Sequence, residues 1–221
     1  MQKSIYSLVL MDDVIAAVDK EAYRLNTSRS NLINQILAEH LACVTPEMKM
    51  QEIFNSISDM LEGHFQIQQQ SSNSLMTIKS ALQYKYKPTV NYKVELFRNP
   101  NNYIGQIKVQ IRSQSSTIIK LFEDFFKLWV QLEANILVNK IQSDYIFKLE
   151  SYIFKLESGK FVRQLFNPKN ISDNELGQAL YSYINVLDKA IKLYFSAPSD
   201  FNSKLPLITK LYIKQTENCV L

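Results

Sequence analysis

Apolar positions recur along this chain with two different periods, and the places where the period changes outline its elements. From Ser4 to Leu10 the period is two, with Tyr6, Leu8 and Leu10 on one face and Ile5, Ser7 and Val9 on the other. That predicts a strand apolar on both sides. After Asp12 and Asp13 the spacing becomes three and four through Val14, Ile15, Val18, Ala22 and Leu25, a helix that Asn26 can end in the left-handed conformation. Ser28 is a good N-cap for a second helix over 29–42, with Leu32, Ile33, Ile36, Leu37 and Leu41 on one face. Thr45 and Pro46 open a third helix, with Met50, Ile53, Ile57, Met60 and Leu61 inward and its end near Gly63.

The stretch from Gln66 to Ser74 is rich in Gln, Ser and Asn and carries no charge, which suits a linker or a helix-end extension. Period two then returns in Thr77 to Tyr86, Val90 to Phe97 and Ile104 to Arg112, three strands of a small antiparallel sheet, with a turn at Asn99 to Asn102. Ser116 to Ile141 has helical spacing through Ile118, Phe122, Phe125, Trp129, Leu132 and Ile136. The heptapeptide Tyr145 to Ser151 recurs unchanged as Tyr152 to Ser158. Seven residues are close to two helical turns, so the repeat predicts helix with Ile146, Leu149, Ile153 and Leu156 inward. A capping box, Ser172 to Glu175, precedes Leu176, Leu180, Ile184, Leu187 and Ile191, and a short apolar segment spans Leu205 to Ile213. The expected class is α+β, mainly α. Residues 1–44 form an N-terminal module, 45–74 a connecting helix and linker, and 75–221 a C-terminal domain of a small sheet packed with long helices.

Composition changes this picture little. With 46% apolar and 21% charged residues the chain is ordinary for a globular protein, and four glycines with six prolines favour long helices. No window approaches eighteen consecutive apolar residues and the N-terminus lacks a leader pattern, so the expectation is a cytoplasmic protein without a membrane partner. Cys43, Cys219, His40 and His64 have no metal-ligand spacing, and no nucleophile, base or glycine-rich phosphate loop is grouped in the sequence. No cofactor, metal or enzymatic activity is expected. Charge is more informative: residues 1–45 carry a net −1, 46–76 a net −3, 77–112 a net +6 and 113–221 a net +2.

A lone seven-residue strand is not stable, and one with two apolar faces needs a partner. Two copies pairing antiparallel across a twofold axis solve this, and the resulting ribbon is narrow enough for the major groove of duplex DNA. The segments Lys3-Ser-Ile-Tyr-Ser-Leu-Val-Leu10, Met11-Asp-Asp-Val-Ile-Ala-Ala-Val-Asp19 and Asn26-Thr-Ser-Arg-Ser-Asn-Leu-Ile33 together resemble the ribbon-helix-helix repressors of the Arc, MetJ and CopG type. The resemblance covers about forty residues. It implies a homodimer on double-stranded DNA, with Lys3, Ile5, Ser7 and Val9 facing the groove. Thr27, Ser28, Arg29 and Ser30 would hold a phosphate at the start of the second helix, where free N–H groups and the helix dipole favour an anion. Met11 and Glu21 stand where the family commonly has proline and leucine. The function implied is a transcriptional regulator. The alternatives are a plasmid partition or copy-control protein and a scaffold that uses the module only to dimerise.

Lys79, Lys85, Lys87, Lys93, Lys108 and Arg112, with Arg98 and interleaved Tyr84, Tyr86 and Tyr92, make the expected sheet a second candidate surface for phosphate backbone or a nucleotide. A solvated, charged sheet face accounts for the same residues. The C-terminal domain is expected either to join dimers into larger assemblies, the slightly favoured use, or to sense a small molecule. Phe125, Trp129, Phe147 and Phe154 offer a pocket lining, but at helical spacing such rings are more often plain core.

Overall fold

The three helices expected in residues 12–60 are formed, and the second and third start where their capping residues place them. The computed structural model describes residues 5–61, 63, 65–141 and 153–221. Helix α1 spans Asp12–Arg24, and Asn26 behind it adopts φ 49°. Helix α2 spans Arg29–His40, with the Ser28 hydroxyl accepting the Asn31 N–H at 3.2 Å. Helix α3 spans Pro46–Met60, with the Thr45 hydroxyl accepting from Met48 at 3.1 Å. The expected N-terminal strand is not formed: residues 5–11 have no regular structure, and its first residue, Ser4, lies outside the described residues. A period-two segment becomes a strand only against a neighbouring strand, and a single chain offers it none.

Six strands form one antiparallel sheet. They are β1 (Phe65–Ser72), β2 (Leu75–Ala81), β3 (Thr89–Leu96), β4 (Tyr103–Arg112), β5 (Phe154–Glu157) and β6 (Lys160–Phe166), in the order β1-β2-β3-β4-β6-β5. Helix α4 (Ser116–Ile141) separates β4 from β5, and α5 (Asp173–Ser196) and α6 (Phe201–Asn218) follow β6. The Ser172 capping box opens α5 as expected. The class is α+β.

Three sequence expectations are corrected by the sheet. The uncharged stretch read as a linker is edge strand β1, because Phe65 and Ile67 pair with Ser80 and Ile78 while Gln66 and Gln68 face outward. The strand expected over Thr77 to Tyr86 stops at Ala81, where the chain turns into a loop with Tyr86 at φ 65° and Lys87 at φ 41°. The second copy of the heptapeptide is not helix through Leu156. Phe154–Glu157 is β5, joined to β6 through Gly159 at φ 64°. Phe154 and Leu156 also satisfy period two, and pairing with Arg163 and Phe161 decides between the readings. The first copy, with Ile146, Phe147 and Leu149, lies outside the described residues.

One side of the sheet is the core. Val90, Tyr92, Val94, Ile107, Val109, Phe161 and Leu165 meet apolar residues of α3, α4, α5 and α6 there. Helix α3, expected as a connector, contributes Met50, Ile53, Phe54 and Ile57 to this same core. It lies so close to α5 that a Cβ on Gly177 would come 2.7 Å from the Ser56 Cβ and 2.9 Å from the Ile53 carbonyl oxygen. Glu133, buried in α4, accepts from Trp129 Nε1 at 2.8 Å, Tyr183 at 3.1 Å and Tyr212 at 2.7 Å, and pairs with buried Arg163 at 2.5 Å. Burial, then the Glu133 charge, raises both tyrosine hydroxyls well above their ordinary range. No helix among the described residues is long and apolar enough to cross a membrane.

Candidate nucleic-acid interface

Residues 5–44 differ from the rest of the chain in what they leave uncovered. Thirteen of the seventeen exposed large apolar side chains among the described residues lie here, including Tyr6, Leu8, Val14, Ile15, Ile36 and Leu37. Only Ala22, Leu32 and Ala38 are buried in α1 and α2. Ile5 and Val9, expected to face the groove, are fully exposed at 102% and 101%, and Ser7 between them is exposed too. Lys3 lies outside the described residues.

The four residues expected to hold a phosphate stand at the start of α2. Ser28 caps the helix, Ser28, Arg29 and Ser30 are exposed, and Thr27 is half-buried. Asp19 on α1 holds the Arg29 guanidinium through both carboxylate oxygens. That pair ties the two helices together and partly cancels the charge that an incoming phosphate would meet. The sequence did not reveal it, since ten positions separate the partners and no local spacing marks them.

The sheet face opposite the core is the second candidate surface. Register sets its rows: Gln66, Lys79, Asn91, Gln110 and Lys160 lie across one, and Gln68, Thr77, Lys93, Lys108 and Val162 across the next. Arg112 lies opposite Thr89 and Ala81. Strands β2, β3 and β4 thus bring together four of the expected basic residues: Lys79, Lys93, Lys108 and Arg112. Lys85 and Lys87 sit apart, exposed in the β2–β3 loop. Two charges are answered locally, Lys108 by Glu95 at 2.7 Å and Arg98 by Glu47 at 3.3 Å. The Lys108 ammonium, then a hydrogen bond from Gln106, keeps the Glu95 carboxyl below its ordinary range.

The expected interleaving of tyrosines is corrected. Tyr92 is wholly buried on the core side, donating to Asp188 at 2.9 Å, and Tyr84 packs edge-on against Phe195 at 5.5 Å. Tyr86 alone of the three is exposed, so this face has no row of aromatic rings for stacked bases. Of the aromatic residues weighed as pocket lining or plain core, Phe125, Trp129 and Phe154 are core, buried in contact with other rings. Among the described residues no group of His, Cys, Asp and Glu is placed to hold a metal.

The chain matches no protein-family model, no curated protein and no solved structure.

Proposed function

We propose that this chain works as a homodimer that holds double-stranded DNA through residues 1–44, paired strands entering the major groove and the two α2 N-termini flanking it on phosphates. The carrying observation is the concentration of exposed apolar side chains in residues 5–44. Uncovered apolar surface on this scale marks an interaction site. A second copy is the occupant that also supplies the missing strand partner. The exposed, capped α2 start with Ser28, Arg29 and Ser30 supports a phosphate contact, and the resemblance to ribbon-helix-helix repressors supports transcriptional regulation.

One observation favours a module that only dimerises: Arg29 is already paired with Asp19. The two readings separate in one experiment. The mass of the full chain by sedimentation reports the dimer, and fluorescence anisotropy with duplex DNA at about 50 and 200 mM salt reports phosphate contacts through the salt slope. A dimer that binds DNA with a steep slope supports the proposal. A dimer without DNA affinity selects the scaffold, and a monomer removes both.

A further inference from the structure

The strongest unassigned feature of the molecule lies on the outer sheet face and does not depend on the DNA reading. A depression of about 280 Å³ is lined by Gln66, Lys79, Ala81, Thr89, Asn91 and Arg112. Asn91 is only 1% exposed, and neither its side-chain nitrogen nor its oxygen has a hydrogen-bond partner. Leaving a buried amide unpaired costs about 1–3 kcal/mol, so the Asn91 amide calls for a partner, an ordered water or a ligand. It points away from the core, because its neighbours Val90 and Tyr92 face inward and strand side chains alternate. Lys79 is its cross-strand partner, and Arg112 lies two positions beyond its partner Gln110 on β4. Among the described residues neither cation has a carboxylate partner.

The geometry points to a binding site for a small, hydroxyl-bearing phosphate monoester. Two cations beside one amide match a dianion, with Arg112 suited to two phosphate oxygens and Lys79 acting as a point charge. The Asn91 amide nitrogen donates to the phosphate, and its oxygen needs a donor, which a sugar hydroxyl supplies while the ester's dianionic phosphate group has none of its own. Gln66 and Thr89 offer further polar contacts at the rim. A volume at the low end for ligand pockets suits a sugar phosphate rather than a larger cofactor. Arg112 also lines the neighbouring depression with Ser113, Gln114 and Ser115, beside the N-terminus of α4, whose dipole adds positive potential.

Calorimetric titration of the full chain with ribose 5-phosphate and glucose 6-phosphate tests the site, with ribose, inorganic phosphate and a ten-nucleotide single strand alongside. At least one sugar phosphate should bind at one per chain, about tenfold or more tighter than inorganic phosphate and far tighter than ribose. Lys79→Ala and Arg112→Ala, both at the surface, should each weaken it about tenfold. Asn91→Leu should abolish binding while the unliganded protein melts at the same or a higher temperature, since the unpaired amide is gone. A purely structural Asn91 predicts the opposite melting shift. The site is overturned if neither sugar phosphate saturates by about 10 mM, if both cation variants bind as the parent does, or if the oligonucleotide binds more tightly through the same residues.

Discussion

Residues 5–44 and the described residues from 46 onward both contain helices with apolar faces, but they dispose of those faces differently. In the second region α3 alone buries four large side chains against the sheet and α5. In the first, α1 and α2 together bury one leucine and two alanines. A fully buried leucine, isoleucine or valine contributes roughly 1.5–3 kcal/mol, so the first region forgoes most of what its sequence offers until something covers it. The larger region covers its apolar faces within one chain, and the smaller one leaves its own uncovered, which on the proposed reading a second copy would cover.

The strongest way to break this comparison is to disrupt the complete half. Glu133→Leu leaves Arg163 buried beside three donors that have lost their acceptor, and should lower unfolding stability by about 3–5 kcal/mol. Chemical denaturation read by Trp129 fluorescence measures it. An unchanged midpoint would show that the pair is not the buried network described here.

A smaller loss, about 1–3 kcal/mol, is expected for Gly177→Leu, which forces α5 away from Ser56 and Ile53 on α3. Its value for the comparison is specific: if α3 belonged functionally to the N-terminal half, a variant on α5 would leave the α3 amides equally protected from hydrogen exchange. They should instead lose protection together with those of α5.

The unfinished half is probed by Leu8→Lys. Leu8 is already half-exposed in the single chain, so the body should melt as before, while the dissociation constant of the proposed dimer should rise about 100-fold or more in sedimentation. An equal change in both readouts would mean that the two halves are one cooperative unit.

The smallest effect belongs to the acid limb. Hydrogen bonds from Lys155 and Lys160 hold the Glu157 carboxyl at about 2 instead of 4.5. A depressed carboxyl contributes stability that is present above its unfolded value and is lost as pH falls from about 4.5 towards 2. Glu157→Gln should therefore flatten the melting temperature slightly across that window. The group is exposed, so the difference should vanish in about 1 M salt.

Much of the local structure was legible because its causes are local. Ser28, Thr45 and Ser172 cap helices that start beside them, Asn26 takes the left-handed turn, and the alternation of Val90, Tyr92, Val94 and Leu96 marks β3. Ser28, Arg29 and Ser30 stand out as candidates for the same reason, because they mark a helix start. What escaped was whatever depends on a distant partner. The glutamine-rich β1 is a strand only because β2 offers it an edge, and Phe154–Glu157 is a strand only because β6 lies beside it.

The candidate sites divide along the same line. The sequence by itself determined where the helices begin, that the sheet would be basic, and that residues 4–10 alternate like a strand. Only the tertiary structure decided that Tyr84 and Tyr92 turn away from the basic face, that Asp19 holds Arg29, and that Asn91 is buried unpaired between Lys79 and Arg112. The physical reason is range: caps and periodicity act within a few residues, whereas burial and ion pairing depend on neighbours that the chain brings together only by folding.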